Sequence, residues 1–105
     1  MRDAKKRRVL RKAADLIETH GWIQYALGSP VQGFCAMGAI RHVLKPNFSF
    51  RFSPFRLPEQ TREVVTYVED HDADLEPRGL TFWNDQDGRT SDEVVALLRR
   101  VGGSG

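Results

Sequence analysis

The stretch TSDEVVALLRRV (residues 90–101) decides the fold class, because every local signal within it agrees on a helix. Thr90 and Glu93, three residues apart, form the sequence signature of a capping box at a helix start. Two arginines follow at the carboxyl end, where positive charge is favourable, and a glycine then offers a stop. The apolar residues recur at helical spacing and form one stripe, made by Val94, Leu97, Leu98 and Val101. The stretch therefore predicts an amphipathic helix that needs apolar partners.

Three further segments have the periodicity of helices and supply those partners. Residues 35–44 are predicted to form a short helix, and residues 58–71, with an extension as far as 75, follow a proline at the first helical position. Gly38 lies inside the short helix at a cost of about 1 kcal/mol relative to alanine, so we expect another helix to approach closely there. Residues 4–20 carry an apolar stripe made by Val9, Ala13, Leu16, Ile17 and His20. The sequence thus predicts an all-α fold, a small four-helix domain around one core.

Residues 47–57 interrupt the helical pattern with phenylalanines that alternate with polar residues. A period of two is typical of a strand or an extended segment, and Pro54 and Pro58 limit its pairing. We therefore expect an extended Phe-rich strap across the helices. Exposed rings would form an apolar patch of the kind that marks partner sites. The predicted partner-binding residues are Phe48, Phe50, Phe52 and Phe55.

Length and composition indicate a single domain in a reducing compartment. The 105 residues fit one helical domain over 1–101, and residues 102–105 have the Gly/Ser composition of a flexible tail. Cys35 is the only cysteine, which excludes an intramolecular disulfide and a four-thiolate zinc site. No stretch reaches the roughly 20 apolar residues that cross a bilayer. We expect a cytoplasmic protein with no membrane association, no cofactor and no metal.

The net charge of +2 conceals two oppositely charged blocks. The first twelve residues contain seven basic side chains, and residues 59–76 contain seven acidic ones. Such blocks can face each other within the fold or attract separate partners. Because a basic helix end can contact phosphates, nucleic-acid binding is an alternative function, although no recognised nucleic-acid motif accompanies the charge. The candidate phosphate-binding residues are Lys5, Lys6, Arg7, Arg8, Arg11 and Lys12.

Cys35 is a weak catalytic candidate because it lies at the predicted start of a helix, where the helix dipole lowers the pKa of a thiol. A thiol nucleophile would also need a base and an orienting group, drawn from His20, His42, His71, Asn84 and Asp85. The alternative is that Cys35 is a small apolar residue packed among other small residues, as free cysteines commonly are. We favour packing and assign no catalytic residue.

The segment WNDQDGRT (residues 83–90) is predicted to be a tight turn. A calcium loop with Gly88 at its sixth position would place Trp83 and Val94 where carboxylates are required, so calcium binding is disfavoured. A tight turn accounts for each residue type instead. The tryptophan is expected to pack into the core and the glycine to take a positive φ. The side chains expected to accept hydrogen bonds from backbone amides are those of Asn84, Asp85 and Asp87. The acidic run around His71 is likewise predicted to be a solvated face rather than a metal site.

Three pieces of the chain carry a resemblance to a known family. They are the amino-terminal helix ending in His20-Gly21-Trp22, the run from Cys35 to Ile40, and Trp83-Asn84-Asp85 followed by Arg89-Thr90 and Glu93-Val94. Together they resemble the family catalogued as domain of unknown function 6197, found in actinobacteria and their phages. The resemblance spans nearly the whole chain and implies an intracellular, phage-derived protein. It brings no assigned activity or catalytic residues.

These observations favour a small intracellular, non-enzymatic interaction or regulatory module that binds a cellular protein partner. The polarised charge and the Phe-rich strap are the features on which this expectation depends. Two alternatives stay open. One is nucleic-acid binding through the basic amino-terminal helix, and the other is a Cys35-dependent hydrolase or transferase.

Overall fold

The four predicted helices all form in the computed structural model, which describes residues 1–46 and 57–103. A short fifth helix, a 3-10 turn at Ala73–Leu75 and a two-stranded antiparallel ribbon accompany them. The helices are α1 (Asp3–His20), α2 (Ala36–Leu44), α3 (Glu59–His71), α4 (Gly79–Asn84) and α5 (Ser91–Gly102), and the strands are β1 (Gly28–Ser29) and β2 (Gly33–Phe34). The all-α class is confirmed. None of the helices in the described ranges has the length and apolar character that crossing a bilayer requires.

The core is organised around α1 and α5, which run in opposite directions. Their direction follows from two contacts, since Arg11 reaches Gly102 and Arg99 reaches Glu18. Most of both apolar stripes is buried in one cluster with α2, α3 and α4. Leu16 and Val101 are half-buried at its edge, and His20, which the sequence placed in the stripe of α1, is exposed. The capping box of α5 also forms as predicted, with the Thr90 hydroxyl accepting from the Glu93 amide at 3.2 Å. The structure of α5 therefore confirms both the predicted first residue of the helix and the predicted apolar face.

The carboxyl end of α5 corrects the predicted boundary of the tail. Gly102 is the last residue of α5 and is buried, although the sequence analysis placed it in the flexible tail. The Arg11 guanidinium donates to the Gly102 carbonyl at 2.7 Å, and a Cβ on Gly102 would lie 3.0 Å from the Arg7 carbonyl oxygen. Glycine therefore permits the close approach of α5 to α1, and the helical domain includes this residue.

Gly38 faces a close neighbour, but that neighbour is not the helix that we expected. A Cβ on Gly38 would lie 1.8 Å from the carbonyl oxygen of Leu27, in the segment before β1. The same carbonyl accepts a hydrogen bond from the Cys35 amide at 3.4 Å. Gly38 is thus packed against a backbone carbonyl rather than against another helix.

α4 was not predicted, because its stabilising contacts come from distant parts of the chain. It has only six residues, and no side chain of its own N-cap residue bonds to its first turn. The carboxylate of Glu69 on α3 accepts from the Leu80 amide at 2.8 Å and so takes the role of the cap. Leu80 and Trp83 are then buried in the common core.

The two charged blocks face each other in part. The amino terminus pairs with Glu63 of α3 at 3.8 Å, and the Lys6 ammonium lies 5.4 Å from the centre of the Tyr67 ring. Asp72, half-buried after α3, pairs with Arg100 of α5. In each pair one partner is open to solvent, which weakens the attraction to roughly 0–1 kcal/mol, so these pairs adjust the packing rather than cause it.

We predict that Gly38→Ala lowers the free energy of unfolding by about 3 kcal/mol, even though alanine is the better helix former, because its methyl group would overlap the Leu27 carbonyl. Gly88→Ala is the control. Gly88 has open space around its Cβ position and a φ of +83°, so only the backbone cost of about 1 kcal/mol applies. Urea denaturation followed by circular dichroism measures both. A Gly38→Ala variant as stable as the wild type would contradict the close approach.

Candidate functional site

The buried side chain of Asn84 joins three separate segments of the chain. Its Oδ1 accepts from the Trp22 indole at 2.8 Å and from the Ala36 amide, in the first turn of α2, at 3.0 Å. Its Nδ2 donates to the Ile23 carbonyl at 3.2 Å and to the Asp85 carboxylate at 3.0 Å. Both acceptor and both donor positions of the amide are therefore filled. The residue is fully buried, so this network has a low-dielectric surrounding that strengthens each bond.

A second set of hydrogen bonds extends this contact along the chain. The Asp85 carboxylate accepts from the Tyr25 amide at 2.9 Å. The side-chain amide of Gln24 donates to the carbonyl oxygens of Asn84, at 3.1 Å, and of Gln86, at 2.9 Å. The segment after α1 is in this way held alongside the segment after α4, although about sixty residues separate them in the sequence.

Tyr25 is presented to solvent by this arrangement. Its φ of +67° lies in the left-handed region, at a cost of roughly 1–2 kcal/mol for a residue with a side chain. The residue is 71% exposed, and its hydroxyl donates to the Asp87 carboxylate at 3.4 Å. Desolvation, together with the negative charges of Asp87 and Asp85, raises the pKa of the Tyr25 hydroxyl. The phenol therefore stays protonated, and remains a donor, at neutral pH.

The corner between α4 and α5 is fixed by Arg89. Its guanidinium lies 3.9 Å from the centre of the buried Trp83 ring, and its Nε donates to the Trp83 carbonyl at 2.9 Å. It also pairs with Glu93 at 3.1 Å. Hydrogen bonds from Thr90, and then the charge of Arg89, lower the pKa of Glu93. The capping box and the tryptophan plug are thus linked by one arginine.

The predicted turn at 83–90 is confirmed in part. Trp83 is buried and Gly88 has a positive φ, as expected. However, Trp83 and Asn84 belong to α4, and the backbone amides bound by Asn84 and Asp85 are distant in the sequence rather than local to the turn. These polar residues therefore hold the tertiary structure, where the sequence suggested a self-contained loop.

Cys35 has the surroundings of a packing residue. It is 3% exposed and occupies the N-cap of α2, where its sulfur accepts from the Gly38 amide at 3.2 Å. Burial raises the pKa of the Cys35 thiol despite this hydrogen bond. A thiol that stays protonated and covered is a poor nucleophile. The helix dipole that the sequence analysis considered is thus outweighed by desolvation.

The residues considered as a base or an orienting group have other contacts. The rings of His20 and His42 lie 6.0 Å and 5.0 Å from Phe34, centre to centre. The ring of His71 stacks on Tyr67 at 4.1 Å. Burial, followed by the positive charges of Arg41 and His20, lowers the pKa of His42. Among residues 1–46 and 57–103, no hydrogen bond connects Cys35 with a histidine.

The remaining predicted sites have different outcomes. Of the six basic candidates, Lys6 and Arg11 make contacts within the fold, and Arg7 is half-buried beside the carboxyl end of α5. The other three, Lys5, Arg8 and Lys12, are exposed on α1. Within the described ranges, His, Cys, Asp and Glu side chains form no group of three or more placed to hold a metal ion. The four phenylalanines predicted to bind a partner lie outside the described residues, so their role in binding stays a prediction. They are Phe48, Phe50, Phe52 and Phe55.

The residues that carry the family resemblance are the ones that meet at this network. Trp22, Ala36 and Asn84 form its buried centre, and Trp83 and Arg89 form its outer corner. The family of unknown function DUF6197 matches residues 1–103 of the chain. The chain belongs to this family. The motifs by which DUF6197 is recognisable here therefore specify a structural junction. No curated protein and no solved structure matches the chain significantly.

Tyr25 and Gln24 are the residues of this region that sequence reasoning missed. Nothing in their neighbourhood signals a left-handed residue, since positive φ is usually indicated by glycine or asparagine. Their conformation follows from Asp85 and Gln86, which lie about sixty residues further along the chain. A run of polar and aromatic residues between two predicted helices was the only available hint.

We predict that Asn84→Ala lowers the free energy of unfolding by about 3 kcal/mol, because the Trp22 indole and the Ala36 amide each lose a buried acceptor. Gln32→Ala, on the exposed turn between β1 and β2, is the control and changes stability by less than about 0.5 kcal/mol. Chemical denaturation followed by tryptophan fluorescence measures the difference. Equal effects of the two substitutions would show that the Asn84 network contributes little.

We predict that iodoacetamide does not modify Cys35 in the native protein at neutral pH, because the thiol is buried and its pKa is raised. Modification becomes complete once urea unfolds the chain, which serves as the internal control. Mass spectrometry of the intact protein measures the extent of labelling. Fast labelling without denaturant would bring the nucleophile hypothesis back.

Proposed function

We propose that this protein is a small non-enzymatic interaction module that binds a protein partner. The binding site is the Tyr25 surface, which we define as Gln24, Tyr25, Asp85, Gln86 and Asp87. These residues come from two segments that hydrogen bonds hold side by side. The surface therefore exists before any partner arrives.

The observation that carries this proposal is the exposed ring of Tyr25 on a residue in the left-handed region. A backbone cost of this kind persists where the surroundings over-determine it, and such residues are concentrated at functional sites. Tyrosine is also enriched among the residues that dominate binding energy, because it offers a large apolar ring and a polar tip. The hydrogen bonds at Asp85 and Asp87 limit its motion beforehand, which reduces the entropy lost on binding.

A second exposed aromatic residue lies on α4, near Asp85 in the sequence. Phe82 of α4 is 43% exposed and lies three residues before Asp85, so the two share one side of the helix end. The Arg78 guanidinium lies 4.8 Å from the centre of the Phe82 ring. Exposed aromatic rings accompanied by carboxylate and guanidinium groups have the composition of a protein-binding surface, in which apolar anchors are surrounded by polar groups.

We propose further that the protein acts inside the cell, in the cytoplasm. The support is chemical: Cys35 is a buried free thiol, and unpaired buried cysteines suit a reducing compartment. The Phe-rich strap is a second proposed contact with the partner, and the actinobacterial or phage origin stays a prediction. The burial and raised pKa of Cys35 count against the hydrolase or transferase alternative.

We predict that Tyr25→Gly weakens partner binding at least about tenfold while the fold is retained or slightly stabilised. Glycine accepts the left-handed conformation without strain and keeps the backbone amide that binds Asp85. The experiment is an affinity capture from lysate with and without nuclease, then titration of the purified captured protein against each variant. Thermal unfolding checks the fold.

Two further variants make this experiment specific. Tyr25→Phe keeps the ring but removes the hydroxyl bond to Asp87, so it should weaken binding less than Tyr25→Gly. Val31→Ala shortens another exposed apolar side chain, at the ribbon turn, and is expected to leave binding unchanged. Binding that is equally strong in the wild type and in Tyr25→Gly would overturn the proposed site.

A further inference from the structure

Six of the seven basic residues at the amino terminus fall into two groups in the structure, and the seventh, Arg7, is half-buried. Lys6 pairs with Asp3 at 3.8 Å and lies over the Tyr67 ring, and Arg11 donates to the Gly102 carbonyl. These two cations therefore serve the packing of α1 against α3 and α5. The sequence could not separate them from their neighbours.

The other group forms a line along α1, which we name the basic stripe: Arg2, Lys5, Arg8 and Lys12. All four are exposed. Successive members are three, three and four residues apart, which places them on one side of the helix. Ten residues separate the first from the last, so the stripe is about 15 Å long at the helical rise per residue.

The acids of α1 do not neutralise this stripe, because they are paired elsewhere. Asp15 and Glu18 both bind the Arg99 guanidinium of α5, at 2.9 Å and 2.6 Å. Asp3 pairs with Lys6 at 3.8 Å. Over the described part of the chain, no ion pair joins a carboxylate to any member of the stripe. The positive amino end of the helix dipole adds to the same potential.

We propose that the basic stripe binds the phosphate backbone of a nucleic-acid duplex, without reading its sequence. Lysine and arginine on a rigid exposed helix face can neutralise phosphates and release counterions, which supplies sequence-independent affinity. This activity is separate from the protein-binding surface at Tyr25 and goes beyond it.

Two features of α1 favour a duplex over other polyanions. The helix contains no Phe, Tyr or Trp, so it offers no ring on which single-stranded bases would stack. Its apolar stripe is buried in the core, so no apolar face is left to enter a bilayer as an amphipathic helix would. The exposed face of α1 therefore offers positive charges at fixed positions and no exposed aromatic ring or large apolar side chain. The regularly spaced phosphates of a duplex are the ligand that fits this arrangement.

The test is binding of a fluorescent mixed-sequence DNA duplex to the full chain, measured by anisotropy over a series of salt concentrations. Four phosphate contacts predict a slope of log K against log salt of about −3.6. Removal of three of them, in Lys5→Ala/Arg8→Ala/Lys12→Ala, should reduce the slope to about −0.9. The control variant Lys45→Ala/Arg62→Ala/Arg78→Ala loses the same charge from exposed positions elsewhere and should keep the wild-type slope.

Each other outcome overturns the proposal. Failure to bind the duplex at low salt excludes the site, and an equal loss in both triple variants shows a response to net charge rather than to the stripe. Binding to anionic phosphatidylserine vesicles but not to the duplex would identify a membrane surface instead. Tyr25→Gly should bind the duplex as the wild type does, so failure here and failure of the proposed protein partner are distinguishable.

Discussion

The four hydrogen bonds of the Asn84 amide are the constraint on which the rest of this structure depends. A single buried side chain connects the end of α4 with the segment after α1 and with the first turn of α2. Because these groups are buried, a donor or acceptor that lost its hydrogen bond could not bond to water instead. Its desolvation would then lower the stability of the fold. The contact therefore holds three chain segments in one arrangement and excludes nearby alternatives.

The two proposed binding surfaces depend on this junction to different degrees. The Tyr25 surface exists because Asp85 and Gln86 follow Asn84 directly and bind the opposite segment. The basic stripe depends instead on the packing of α1 against α5, where the acids of α1 find their partner in Arg99. A change at the junction would thus affect one surface more than the other.

This division explains why membership of a family can describe a fold and leave its function open. The tryptophans, the Cys35–Ile40 run and the Asn84 and Arg89 motifs have their partners inside the structure. Cys35, which looked reactive from its position at a helix start, packs against the same junction and is desolvated there. Tyr25, on which the proposed protein-binding surface depends, is not part of the motifs, although Asp85 beside it is.

The sequence by itself determined the elements whose signals are local. The capping box and apolar stripe of α5, most of the stripe of α1 and the limits of α2 and α3 depend on residues a few positions apart. The structure confirms them, with α2 and α3 each starting one residue later than predicted. Three features became known only from the tertiary structure. They are the formation of α4, the left-handed conformation of Tyr25 and the packing of Gly38 against the Leu27 carbonyl. In each of these cases the stabilising partner is distant in the sequence, and a contact between distant residues has energy only after the helices have packed. The burial of Cys35 and the separation of Lys6 and Arg11 from the exposed stripe follow from the same cause.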